Sequence, residues 1–246
     1  MLKIITLITK FILVTLAAVL FASCNQSLSL NAIKGSGNVT IEKRTIDGDF
    51  KSIEVNNSLE VIIEQGDKIE IIVEADDNFQ KHIKTEIENG TLVISSDKNS
   101  FMDMTSKKIT VKMPIVDELE ATTNSTITSK NVLKGESIRL SSSSAGSINI
   151  SIESENISCD TSSGSSITIN GKALKLKTNA SSGSEIIAKA LLANEVDADV
   201  SSGASITVYP IVNLVAEASS GGSITYEVQP KTIQKHVSSG GSVSRK

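Results

Sequence analysis

Aromatic residues are nearly missing: the chain has no tryptophan, and Phe, Trp and Tyr together make up 3% of its residues. That counts against a base-stacking platform and against a groove that stacks on sugar rings. Cysteine is as scarce, with only Cys24 and Cys159. A chain processed at Cys24 keeps one other thiol and no intramolecular disulfide, so its fold must rest on its own core. The two histidines, His82 and His236, lie far apart and have no cysteine beside them, which argues against a zinc site. No basic stripe exists, and nucleic acid is not an expected partner. Charge is uneven instead: residues 35–120 hold 18 acidic and 10 basic side chains, residues 121–246 hold 10 and 11.

The chain starts with a basic, then apolar, segment. Lys3 and Lys10 precede an uncharged run from Phe11 to Ala22, too short to span a bilayer as a helix. Ala22 and Ser23 stand directly before Cys24. This arrangement resembles the lipobox of bacterial lipoproteins, although Phe21 occupies the place where leucine is usual. The resemblance implies cleavage before Cys24 and diacylation of its sulfur, a stable anchor at roughly 0.8 kcal/mol per buried CH₂. Residues 1–23 are then a signal peptide and 24–34 a lipidated tether. Asn25-Gln26-Ser27-Leu28-Ser29 lacks an acidic cluster, and Asn25 is not an aspartate. Outer-membrane attachment is the expectation, with either face open.

A repeat dominates the C-terminal half of the chain. Ser162-Ser163-Gly164, Ser181-Ser182-Gly183, Ser201-Ser202-Gly203, Ser219-Ser220-Gly221 and Ser238-Ser239-Gly240 are near-identical, and Ser143-Ser144-Ala145 is a degenerate copy. Three residues after each comes an apolar residue: Ile148, Ile167, Ile186, Ile206, Ile224 and Val243. Ten residues before each of those lies another: Ile138, Ile157, Leu176, Val196, Leu214 and Ile233. The resulting period, about 19 residues, predicts a stacked array. Apolar residues alternate within each unit, as in Leu176-Thr178-Ala180 and Ile206-Val208, and period two means strand. The expected fold is all-β: a single-stranded parallel β-helix-like solenoid with short Ser-Ser-Gly corners. Glycine suits a corner that needs positive φ, and serine hydroxyls can satisfy backbone groups at the bend. In-register stacking places rungs about 4.8 Å apart and lets neighbours supply each other's core.

Residues 35–120 read as an irregular N-terminal part of the same solenoid, and 121–246 as its regular repeats. Ile53–Val61 has the strand–corner–strand form, and Leu119–Ile127 reads as a shortened rung. A short helical turn is expected over Asn78–Ile83. Asp76-Asp77 reads as solvated loop.

Gly35-Ser36-Gly37-Asn38-Val39, Phe50-Lys51-Ser52-Ile53-Glu54-Val55, Gln65-Gly66-Asp67 and the Ser-Ser-Gly repeats together resemble the family called "putative auto-transporter adhesin, head GIN domain". The likeness runs from about Gly35 to Val243. It implies a β-helix-like fold and, in many members, a lipoprotein. It brings no catalytic residues and no cofactor.

The residues themselves supply little chemistry. Asp160, Asp197 and Asp199 are the carboxylates that a polysaccharide-cleaving β-helix would need, and the last two should point outward from one strand. An outward charged face explains them more simply. Cys159 occupies the inward slot of Leu140, Thr178, Ala198 and Ala216, and is expected to be core. Lys235 fills that slot in the last unit; with Arg245 it fits a charged cap that discourages end-to-end growth. The leading expectation is a non-enzymatic envelope or surface protein, an adhesin-like binding module for a glycan or protein, with Thr168, Thr207 and Thr225 on an outward face. The alternatives are a self-associating structural protein and, behind it, a polysaccharide-acting enzyme.

Overall fold

The computed structural model describes residues 32–98 and 100–246. The segment expected to be a signal peptide, Cys24 and most of the expected tether lie outside them. Strands account for 64% of the described residues, and stacked parallel coils of about 19 residues make a β-solenoid. The chain enters through β1 (Ile33–Lys34) and β2 (Val39–Arg44), then forms its first coil from β3 (Ser52–Val55) and β4 (Glu60–Gln65). Next come β5 (Glu70–Asp76), the one-turn helix α1 (Asp77–Gln80), β6 (Ile83–Glu88), β7 (Thr91–Ser96), β8 (Phe101–Met102) and β9 (Lys107–Met113). The next coil, β10 (Glu118–Ala121) and β11 (Thr126–Ser129), leads to the long strands β12 (Leu133–Ser142), β13 (Ser147–Thr161), β14 (Ser166–Ala180), β15 (Glu185–Val200) and β16 (Ser205–Ala218). The last coils are β17 (Ser223–Tyr226), β18 (Thr232–Val237) and β19 (Ser242–Arg245).

The register obeys the sequence pattern. Ile148, Ile167, Ile186, Ile206, Ile224 and Val243 stack as one column. Ile138, Ile157, Leu176, Val196, Leu214 and Ile233 form a second. Each coil therefore has a first face before its corner and a second face after it. Alternate residues point inward on both, because successive side chains of a strand take opposite sides. One continuous buried cluster runs from Phe50 to Tyr226.

The corners are type I′ turns. Ser163 has φ of 54° and Gly164 of 68°, and the same pair of positive angles recurs at eight corners from Asn57-Ser58 to Ser239-Gly240. The amide of the fourth residue donates to the carbonyl of the first, Ser165 to Ser162 and Ser184 to Ser181. Type I′ turns demand positive φ at both central positions, which explains glycine at the second. The hydroxyls that serve the backbone are not those of the first two serines. They belong to the fourth residue, which faces inward: Ser125 Oγ donates to Val55 O at 2.7 Å and Ser165 Oγ to Ser142 O at 2.6 Å.

Coil order departs from chain order at the N-terminal end. β7 stacks parallel on β3, and β9 parallel on β4, on the side away from β10 and β11. The outermost coil is thus laid down second. It is then covered by antiparallel strands, β6 on β7, β5 on β9 and β2 on β5. Phe79 on α1 is fully buried beneath this cover, edge-on to Phe101.

Candidate functional site

The first face carries three outward columns of polar side chains. The column nearest the corners reads Glu54, Glu120, Ser141, Asp160, Asn179, Asp199, Glu217, His236. The next includes Arg139, Ser158, Lys177 and Asp197; the third includes Asn156, Lys175, Glu195 and Asn213. In-register stacking fixes this spacing at one rung, about 4.8 Å. Ser141, Asp160, Asn179 and Asp199, with the corner serines beside them, line a trough of about 300 Å³. It continues past Asp199 into a hollow of about 500 Å³ lined by Glu217, Lys235 and His236. Among its neighbours on this face is a groove of about 390 Å³ between Lys175, Lys177, Glu195 and Asp197.

Register separates the three aspartates. Asp197 and Asp199 both point outward from β15. Asp160 shares a column with Asp199, two rungs and so ~10 Å away. Between them sits Asn179, whose Nδ2 donates to Asp160 Oδ1 at 2.7 Å, while Arg139 Nη1 lies 3.6 Å from Asp160 Oδ2. Asp197 belongs to the next column, paired in register with Lys177. Asp160 is therefore met by an amide and a cation, and the register neighbours of Asp197 and Asp199 on β14 are Lys177 and Asn179 rather than carboxylates. Cys159 is fully buried in register with Leu140 and Thr178, and burial followed by the adjacent Asp160 pushes its thiol far above the usual range. His82 is held by Asp97 at 2.8 Å on the N-terminal part. Among the described residues no three of His, Cys, Asp and Glu converge as metal ligands.

Asp76 corrects the reading of a solvated loop. Its side chain is wholly buried, and its carboxylate accepts from the amides of Gly37 at 3.2 Å and Thr105 at 2.8 Å. It is buried because two crossing segments bring backbone donors that nothing else satisfies. Asp77 stays exposed, and hydrogen bonds from Ser36 and then Asn38 hold its carboxyl below the ordinary range. Gly35–Asn38 is thus a latch clasped by Asp76, Asp77 and Asn78. Gln65 is a second latch: its side chain donates to Pro114 O and Lys134 O and accepts from the Lys134 amide. These motif residues build the fold and do not line the trough.

A solenoid with a covered N-terminal end and a long, shallow polar face is a surface-presenting architecture, not an enclosed cleft. The family model "Putative auto-transporter adhesin, head GIN domain" matches residues 49–230, and the chain belongs to that family. A "putative adhesin" from Bacteroides fragilis NCTC 9343 is similar in structure: TM-score 0.80, 18% identity, 87% of this chain and 100% of that one covered. A "putative lipid binding protein" from Parabacteroides distasonis ATCC 8503 aligns with TM-score 0.72 and 23% identity, covering 88% and 100% of the two chains. A "putative adhesin" from Parabacteroides merdae ATCC 43184 gives 0.70 and 20%, with 88% and 99% covered. At these identities the likeness is one of fold. No curated protein matches the chain.

Proposed function

We propose that the protein is a non-enzymatic envelope or cell-surface module, anchored through Cys24, whose first face binds an extended hydrophilic ligand, a glycan chain. The observation that carries this reading is the Ser141–Asp160–Asn179–Asp199 column lining its trough. Donors and acceptors repeat at one rung, so a ligand with a similar repeat gains the same hydrogen bonds at successive rungs. Hydrogen bonds of this kind contribute about 1 kcal/mol each, more where a charge takes part. A long shallow site fits many weak contacts better than one deep pocket. The family's adhesin name agrees with a binding role, and the lipobox-like segment supplies the anchor.

The test is a glycan-array screen of the protein, repeated with Asn179→Ala and Asp199→Ala. A hit that weakens at least tenfold in both variants supports the site. A hit unchanged in both, or an array without any hit alongside a protein partner crosslinked elsewhere, overturns it. Cys24→Ala should move the chain from the membrane fraction to the soluble fraction.

A further inference from the structure

The two ends of the solenoid differ in charge, and both leave strand edges open. Among the described residues, β18 at the C-terminal end pairs only with β16, and β19 only with β17. At the other end β6 pairs only with β7, and β2 only with β5, among the same residues. An unpaired edge presents a row of backbone donors and acceptors that another strand can satisfy. β6 and β18 are both six residues long.

From Lys231 onward the chain has four basic side chains, Lys231, Lys235, Arg245 and Lys246, and no acidic one. Lys246 is engaged by Glu227 at 3.2 Å. Lys235 turns inward across the core: its Nζ donates to Tyr226 Oη at 3.1 Å and to Val243 O at 3.3 Å. Lys231 and Arg245 are exposed and form no ion pair among the described residues. At the N-terminal end, β6 exposes Lys84, Glu86 and Glu88, and the loop Asp47-Gly48-Asp49 packs beside it, since a Cβ on Gly48 would stand 3.3 Å from Ile87 Cδ1, so the four carboxylates outnumber the one lysine of the strand. None of these four carboxylates has an ion-pair partner among the described residues. Each end also exposes aliphatic surface, Ile41 at 69% on β2 and Val237 at 53% on β18.

We propose that copies of this chain associate head to tail, the basic β18 edge of one solenoid adding to the acidic β6 edge of the next. Strand direction permits it. β6 runs against β7, and β7 is co-directional with β3, the start of the stack that ends in β18. A β18–β6 ladder is therefore antiparallel. Two C-terminal ends would bring like charge together, as would two N-terminal ends, so the charges select the heterologous contact. Such a contact does not close on itself and builds linear oligomers. It rests on the self-associating reading, not on the glycan reading, and a monomeric chain that binds a glycan would overturn this proposal alone.

The experiment is sedimentation velocity of the full chain in detergent, with two variants. Variant N carries Glu86→Lys and Glu88→Lys; variant C carries Lys231→Glu and Arg245→Glu. All four positions are exposed, and circular dichroism checks that both variants keep the wild-type strand content. Wild type is expected to form species larger than dimer that grow with concentration and dissociate in 1 M salt, where the screening length falls to about 3 Å. Each variant alone is expected to be monomeric. Mixed one to one, they should co-assemble into alternating oligomers, because the basic end of variant N meets the native acidic end of variant C and the two reversed ends complement each other as well. A wild type that stays monomeric, variants that oligomerise like wild type, or a closed dimer that either variant still forms alone would each overturn the proposal.

Discussion

In the coils from Leu133 onward two inward apolar columns each run unbroken through six rungs; between Ile33 and Met113 only β3, β4, β7 and β9 stack as parallel coils. The regular half repeats one corner, one register and one inward pattern, with small side chains at Cys159, Thr178, Ala198 and Ala216. In the irregular half the same slot holds Leu92, Ile53 and Leu119, and the order is secured by single devices such as the Asp76 and Gln65 latches. The difference teaches that stacking needs two kinds of stabilisation. A repeat propagates order from neighbour to neighbour. An end has a neighbour on one side only, so it must be closed by contacts made once.

The sharpest break in that comparison is a defect inside the regular half. Gly171 has φ of +126°, and a Cβ there would stand 2.0 Å from Ile152 O on the preceding coil. Gly171→Ala combines backbone strain with a clash against a carbonyl that cannot rotate away. It is expected to cost about 4 kcal/mol. Because both flanking coils lean on this one, loss should appear in a single cooperative urea transition. A midpoint within experimental error of wild type would mean the coils relax independently.

A smaller effect is expected from the irregular half. Asp76→Ala leaves the Gly37 and Thr105 amides without their acceptor, at about 3 kcal/mol in all. The damage should stay local. Hydrogen exchange should accelerate in β1, β2 and the segment around Thr105 while β13–β16 remain protected. Uniform acceleration along the whole solenoid would erase the distinction between end and repeat.

The same contrast governs what could be read from sequence. The regular coils were legible because every Ser-Ser-Gly reports a corner and every Ile or Val a register, so six copies correct one another. The inward fourth residue of the corner was visible too, as Ser125, Gly146, Ser165, Ser184, Ala204, Gly222 and Gly241 are all small. It was missed because alternation draws attention to the apolar slots. The placement of β7 and β9 outside β3 and β4 was not legible, since period two reports which face points inward and nothing about which strand lies alongside. Asp76 was misread for a related reason: its acceptor role depends on Gly37 and Thr105, brought to it only by the fold. On the candidate face, sequence showed Asp197 and Asp199 pointing outward. The column of Asp160, Asn179 and Asp199 was legible as well, since each stands three residues after Ile157, Leu176 or Val196, but the register is carried by the inward residues and has to be transferred to the outward ones.

The smallest effect probes the seam between the halves. Glu120 on β10 stacks on Glu54 of β3, with Glu118 two residues before it. Burial first, then Glu54, then Glu118, raise its pKa above the ordinary carboxylate value. A folded-state pKa above the unfolded one means that the native protein holds this proton more tightly. The favourable contribution is complete below the ordinary carboxylate range and is lost as pH rises through the raised folded value. At neutral pH the like charges oppose the stacking of β10 on β3. Glu120→Gln should therefore stabilise the protein there by about 0.5 kcal/mol, the scale of one cross-strand charge pair. Below the ordinary carboxylate range the gain should vanish, because Glu120 is then protonated in both states. Carboxylates with lowered pKa values, such as Glu64 beside Lys130 and Lys112, pull the pH profile the other way, but they are common to both proteins and cancel in the difference. Urea midpoints of the two proteins at pH 7 and pH 3 decide it. A gain of equal size at both would trace the effect to amide hydrogen bonding. No gain at either would mean that Asn56, which donates to Glu54 at 2.8 Å, already disperses the repulsion.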